Sequence, residues 1–328
     1  HTGQHYSGIM SSSFFDDMGL PAPDKNLGIG SGSQAEQTAK ALAGIEKVLE
    51  KQQPDVVLVQ GDTNAVLSAA IAAVKLQIPV GHVEAGLRSY DTRMPEEHNR
   101  RLTDHASAYL FAPTKNSAEI LRKENVWGKV FVTGNTVIDA LENLMQFALE
   151  RSSVNEEIGL DDFALLTLHR AENVDSRAVL VGLVDGLIDL NTKIIFPAHP
   201  RTVKRLEQFG LLNRIQTESK IKLIEPASYL DFIALMKQAK FILTDSGGIQ
   251  EEATAPSLNK RVFVLRISTE RPEAVESGHV TVVGINPEEF TETIRKEVEK
   301  GLEKERPCPY GDGNAAKRIL DILIDELG

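Results

Sequence analysis

The chain has 328 residues, 41% of them hydrophobic and 25% charged, with a formal net charge of −11. That length accommodates two domains, because a single core rarely grows beyond about 250–300 residues. The acidic balance argues against a nucleic-acid or anionic-membrane surface, which needs a basic patch to displace counterions; a small anionic ligand needs only a few local donors. Cys308 is the only cysteine, so neither an internal disulfide nor a sulfur-based metal site is expected. No apolar run approaches the ~18 residues of a membrane span and no signal-peptide pattern is present, so a cytoplasmic location is expected.

The sequence opens at His1 inside a stretch that reads as a loop, and the first strand of a doubly wound sheet is expected to be missing from it. Leu42, Ile45 and Leu49 then repeat at helical spacing, and Gln53-Pro54-Asp55 punctuates before the apolar run at 56–59. A small-residue helix over 65–76 and strands at 80–83, 109–112 and 130–132 follow. Strands this uniformly apolar predict a parallel sheet covered on both faces, and right-handed crossovers make it Rossmann-like. The polar stretch at 150–157 marks the boundary between a first domain, 1–152, and a second, 153–310. The second series has predicted strands at 164–168, 194–196, 221–224, 241–243, 262–265 and 280–283, with a helix over 230–239. Two helices, 287–305 and 314–327, close the chain, separated by Pro307, Pro309 and a Gly-Asp-Gly turn.

The run from Thr244 through Asp245, Ser246, Gly247 and Gly248 to Glu252 reads as strand end, turn and helix start. Glycines there let the backbone approach a phosphate without a Cβ in the way. Ser246 supplies a hydroxyl donor, and Glu252, one turn into the helix, suits ribose hydroxyls. An ordinary helix entry, with Asp245 or Ser246 as N-cap, is the structural alternative. His169-Arg170 and His199-Pro200-Arg201 follow successive strands, where a histidine and an arginine suit a diphosphate leaving group or merely cap helices. Arg271, in Arg271-Pro272-Glu273-Ala274, is a further cleft-facing arginine or part of a surface ion pair.

In the first half, Asp62 and Glu84 each follow a strand, and Glu96-Glu97 follow Pro95 on the way to Arg100. Carboxyl ends of parallel strands are where α/β sheets place ligands. Carboxylates gathered there repel one another, which spreads their pKa values as acid/base chemistry near neutral pH requires. Each acid has a structural alternative: Asp62 as an N-cap, Glu96 and Glu97 as a helix-start pair. His82, among strand residues, reads as a hydrogen-bonded core histidine. No His, Asp or Glu spacing suggests a metal site.

Taken together, these motifs resemble the non-hydrolysing UDP-N-acetylglucosamine 2-epimerases. The resemblance runs through Thr2-Gly3-Gln4-His5, Gly61-Asp62-Thr63, His82-Val83-Glu84-Ala85-Gly86-Leu87-Arg88, Pro95-Glu96-Glu97, Asn99-Arg100, Thr133-Gly134-Asn135-Thr136-Val137-Ile138-Asp139, His169-Arg170, His199-Pro200, Asp245-Ser246-Gly247-Gly248 and Thr269-Glu270-Arg271-Pro272-Glu273, nearly the whole chain. It implies an α/β, GT-B-like fold of two Rossmann-like domains with a central cleft, the last helix (311–328) crossing back onto the first domain. It implies interconversion of UDP-N-acetylglucosamine and UDP-N-acetylmannosamine through a 2-acetamidoglucal. Asp62, Glu84 and Glu96 are then the acid/base carboxylates, and His169 assists the departing diphosphate. Ser246, Gly247, Gly248, Glu252 and Arg271 hold UDP, and Arg100 orients the carboxylates or phosphate. No metal or nicotinamide cofactor, no nucleic-acid partner and a homodimer are expected.

Two departures stand out. Relatives open with a strand and a Gly-Thr-Arg-Pro-Glu loop that brings a nucleotide-contacting arginine; a protein without them is expected to be weakly active or inactive, with a compromised first sheet. Residues 253–258 run about two longer than the family pattern, next to Glu252. Bacterial relatives also bind a second UDP-N-acetylglucosamine as activator, and Gln4, Arg170 and His199 match parts of that site. The alternatives are a hydrolysing 2-epimerase, a glycosyltransferase of the same architecture, and an inactive nucleotide-sugar-binding module.

Overall fold

Four strands of the first half, β1 (Val57–Gln60), β2 (Val80–Val83), β3 (Tyr109–Ala112) and β4 (Lys129–Val132), hydrogen-bond in that order, every pair parallel. They belong to a computed structural model that describes residues 1–3, 19–154, 159, 161–301 and 305–328. The chain divides into two units: His1–Asp139 with Gly313–Gly328, and Ala140–Asp312. The division falls inside the helix Thr136–Arg151, ahead of the boundary that composition suggested at 152/153. Asp139, the residue just before this division, has its carboxylate bound to the N-terminus of the last helix.

In the first unit, the helix Gln34–Gln52 starts at a reciprocal capping box between Ser33 and Glu36. The alanine-rich helix Asn64–Lys75 starts at Thr63, whose hydroxyl accepts from Val66 N–H. Small side chains at Ala70, Ala72 and Ala73 let this helix lie close to the sheet, and they share a buried cluster with Leu49, Val59, Val66 and Val80. Leu110, Ala118 and Leu121 form a second cluster. Val83 and Phe111 pack with Ile319 and Leu323 of the last helix, Ala315–Leu327. Among the described residues β1 is an edge strand with Leu58 45% exposed, so the cover expected on both faces is incomplete there.

The second unit carries β5 (Ala164–Thr167), β6 (Ile194–Pro197), β7 (Ile221–Ile224), β8 (Phe241–Thr244), β9 (Val262–Val264) and β10 (Val280–Val282). Their order is β10-β9-β8-β5-β6-β7, and every recorded pair is parallel. Its core joins Leu166, Leu183, Phe196, Phe241, Phe263 and Phe290. Gly186 has a packing reason: a Cβ there would lie 2.1 Å from Phe290 Cζ, closing the approach of helix Pro287–Glu299 to helix Arg177–Asp189. The former helix stops at Glu299 rather than continuing to 305, because Gly301 turns the chain with φ +86°.

The last helix is fixed to the first unit at several points. Asp139 carboxylate oxygens accept from Ala315 N–H (3.0 Å) and Ala316 N–H (2.8 Å), Arg318 Nη1 donates to Thr133 O (3.2 Å), and Lys129 pairs with Glu326. The surface pair contributes little, whereas the buried cap satisfies two orphan donors. Asp139→Ala is expected to lower the stability of this unit by about 2 kcal/mol, measured as a reduced urea midpoint. An unchanged midpoint would show that the cap is dispensable.

Candidate active site

In the second unit the chain adds β6 and β7 on one side of β5, then returns to place β8 on the other. The strand order therefore reverses between β5 and β8, and ligands of open α/β sheets bind at the carboxyl ends flanking such a switch. His169-Arg170 follow β5 and Asp245-Ser246-Gly247-Gly248 follow β8. The two ends are in register at Thr167 and Thr244, whose hydroxyls are 2.6 Å apart.

Asp245 organises both ends. Its fully buried carboxylate accepts from the backbone N–H of His169 (3.1 Å) and Arg170 (3.0 Å) and from Asn173 Nδ2 (3.1 Å), and it faces His169 Nδ1 at 3.1 Å. Burial works to raise the Asp245 pKa, but the His169 ring and the backbone donors outweigh it and hold the group below the usual carboxylate range. With Nδ1 donated to the carboxylate, His169 presents Nε2 outward from a ring that is 45% exposed. Asp245, read from sequence as a possible N-cap, is instead the residue that orients the histidine.

The helix Gly247–Glu252 begins at Ser246, whose side chain makes no cap hydrogen bond. A Cβ built on Gly247 would lie 3.7 Å from Arg170 Nη2 and 3.8 Å from Arg271 Nη2, so two guanidinium groups flank this turn. Among the described residues no hydrogen-bond partner reaches the buried Arg170 Nε. The helix has only six residues, so these cations, more than its dipole, supply the positive potential. Arg271 is held by the buried Glu251, and burial pushes that carboxyl up against the pull of the arginine. Arg266 is forked onto Glu270 (2.8 and 3.0 Å) and is thereby largely neutralised. Residues 253–258 follow the helix, and Glu252 Oε1 accepts from Tyr229 OH at 3.0 Å. Burial raises the Glu252 pKa to about 7, the Glu251 charge adding to it and the Tyr229 bond opposing it.

In the first unit, the N-cap after β1 is Thr63, which leaves the Asp62 carboxylate to pair with Arg100 Nη2. Asn99 Nδ2 donates to Asp62 O (2.9 Å) and to Asn64 Oδ1 (3.1 Å). Glu84, just past β2, has φ +71°, a left-handed conformation that costs about 1–3 kcal/mol for such a residue. Gly86 follows with φ +84°, and a Cβ there would meet Ser117 O at 2.4 Å. Helix Pro95–Ala106 separates the two adjacent glutamates. Glu97 is buried and accepts from Ser89 N–H (2.9 Å), Ser89 Oγ (3.0 Å), Arg100 Nη1 (2.9 Å) and Arg101 Nε (3.0 Å). Burial alone would raise its pKa, and these donors lower it below the usual range. Glu96 is half-buried in the same first turn.

The residues matched to a second nucleotide-sugar site fare differently. Gln4 lies outside the described residues. His199 is the N-cap of helix Pro200–Gln208, its Nδ1 accepting from Arg201 N–H at 3.1 Å. Arg170 stands with Arg271 beside Gly247. Among the described residues no group of three or more His, Cys, Asp or Glu side chains is arranged to hold a metal ion, and no helix is long and apolar enough to cross a membrane.

The family model for UDP-N-acetylglucosamine 2-epimerase matches residues 1–324. The UDP-N-acetylglucosamine 2-epimerase of Methanocaldococcus jannaschii is 49% identical over 334 residues, covering 98% of this chain and 90% of that protein. This chain belongs to the UDP-N-acetylglucosamine 2-epimerase family. A crystal structure of the M. jannaschii enzyme in complex with UDP-GlcNAc and UDP superposes with a TM-score of 0.86 at 48% identity, covering 99% of this chain and 91% of that one. The enzyme of Neisseria meningitidis bound to UDP-GlcNAc gives 0.85 at 36% identity, covering 99% and 90%. The chain is thus an isomerase with two parallel-sheet domains, its structural neighbours are GT-B-like, and its archaeal and bacterial relatives fit the non-hydrolysing type.

Glu252 gives the site a pH signature. The unfolded chain releases this proton near 4.5 and the folded protein near 7, so the folded state binds more protons between those values and stability falls as pH rises through them. The full difference corresponds to roughly 3 kcal/mol. Glu252→Gln retains an acceptor for Tyr229 and removes the ionisation. Its thermal midpoint is expected to match the parent near pH 5 and to exceed it progressively towards pH 8. A difference independent of pH would contradict the assignment.

Proposed function

We propose that the protein interconverts UDP-N-acetylglucosamine and UDP-N-acetylmannosamine without hydrolysis, by eliminating and re-adding UDP across C1–C2. The observation that carries this reading is the cluster at the β5/β8 switch: the Asp245-oriented His169 beside a glycine turn flanked by Arg170 and Arg271. Such a cluster suits a diphosphate that gains charge as it leaves. The two guanidinium groups bind it, His169 Nε2 faces the bridging oxygen, and Glu252 accepts from ribose hydroxyls.

The C2 proton of a nucleotide sugar is weakly acidic, so the reaction needs a held base and stabilised leaving-group charge together. One carboxylate among Asp62, Glu84 and Glu96 takes the C2 proton. The C–H electron pair becomes the C1=C2 double bond of a 2-acetamidoglucal, and the C1–O pair departs with UDP. UDP then adds back at C1 while a second acid delivers a proton to the opposite face of C2. Arg100, bound to Asp62 and Glu97, holds the first of these carboxylates in place.

Turnover of UDP-N-acetylglucosamine in deuterium oxide is expected to place one deuterium at C2 of both epimers. Free UDP growing in proportion to turnover would assign a hydrolysing enzyme, and unlabelled C2 with bound nucleotide a binding module or transferase. The anion site is tested separately. Arg170→Met is expected to weaken UDP binding by about 10- to 100-fold, the value of a charge-assisted hydrogen bond, with the thermal midpoint retained. Unchanged UDP affinity would remove Arg170 from the site.

A further inference from the structure

A ring of polar side chains in the first unit starts at Asp62 and returns to its neighbour Gly61. Asp62 pairs with Arg100, which bonds Glu97 (2.9 Å); Glu97 bonds Arg101 (3.0 Å), which reaches Glu124 (3.6 Å). Glu124 bonds Arg88 (2.6 Å), Arg88 bonds Asp104 (2.7 Å), and Asp104 faces His82 Nδ1 (2.6 Å). The ring closes where it began, since His82 Nε2 lies 2.8 Å from the carbonyl of Gly61, the neighbour of Asp62.

Its inner part is unusual. The side chains of His82, Asp104 and Arg88 are all fully buried. Removing the Arg88–Asp104 pair from water costs several kcal/mol per ion, and apolar replacements are often as stable or more so. Stability therefore does not account for the arrangement. Its location does: Asp104 Oδ2 also accepts from Gly86 N–H at 3.3 Å, so one carboxylate gathers His82, Gly86 and Arg88 around Glu84. Glu84 holds φ +71°, a conformation that persists only when its surroundings over-determine it. The imidazole spans two acceptors, Asp104 on one side and the end of β1 on the other.

We infer that His82 and Asp104 are positioning residues that hold the strained Glu84 turn in register with the strand end carrying Asp62. Neither touches substrate in this scheme; they act through the backbone of the two carboxylates. Glu97 plays the corresponding part for Arg100. The kinetic side of the inference rests on the epimerase reading above, whereas the geometric side does not.

Two variants of the full chain test it while leaving the Arg88–Asp104 pair intact. His82→Asn keeps a donor towards Asp104 but not the reach to Gly61 O; His82→Gln extends towards Gly61 and gives up the short bond to Asp104. Measured per folded molecule, well below the thermal transition, both are expected to lower kcat by about 10- to 100-fold, as a misplacement near 1 Å does. KM and UDP affinity should stay close to the parent. Crystal structures of the variants should show the Glu84 turn displaced from the Gly61–Asp62 strand end. Parental kcat in both variants, or an unmoved turn, would overturn the inference, as would failure of both to fold, which would assign His82 to stability alone. A parent protein that exchanges no C2 proton would instead refute the epimerase reading, and the crystallographic comparison would still decide this one.

Discussion

Asp245 sits where the strand order of the second sheet reverses, and much of the proposed anion site depends on its charge remaining there. A fully buried carboxylate is unfavourable unless several donors converge on it. The donors that converge are the backbone of His169 and Arg170, the Asn173 amide and the His169 ring. Meeting the needs of one buried charge therefore sets the backbone path after β5, the tautomer of His169 and the starting point of Arg170. Gly247 then leaves room for Arg170 and Arg271 beside the turn. Structural satisfaction and functional geometry are the same set of bonds.

Charge is treated in two ways around these sites. In the second unit Asp245 and Glu270 are held below the usual range by converging donors, whereas Glu251 and Glu252 are buried until ionisation becomes costly and are both pushed up. That limits the negative charge near the arginines and leaves the turn receptive to an anion. In the first, acids are kept ionised by dense pairing, as with Glu97 and Glu124, both held below the usual range. A leaving group that gains negative charge and a base that must accept a proton need these opposite environments.

The ten strands were legible from short apolar runs and their punctuation, most clearly where a parallel strand is buried on both faces, as in β5 and β8, and less so at the part-exposed β1 and β4. The motif residues were legible too, since Asp62, Glu84, His169 and Ser246 all follow strand ends. The partners were not. Asp245 acts on His169 from 76 positions away, Tyr229 on Glu252 from 23, and Asp104 on His82 from 22; no local period announces such pairs. Helix ends were misjudged where a single glycine decides, as at Gly301.

The adjacent pair Glu96-Glu97 shows what the structure adds to a motif. In sequence the two are interchangeable carboxylates after a proline. On the helix they point about 100° apart, which sends Glu97 inward to Ser89, Arg100 and Arg101 and leaves Glu96 half-buried. Glu97 already accepts from four donors, three of them on Oε2, so protonating it would weaken the pairs that hold Arg100 beside Asp62. Its low pKa is therefore a consequence of structural use, not a sign of catalysis.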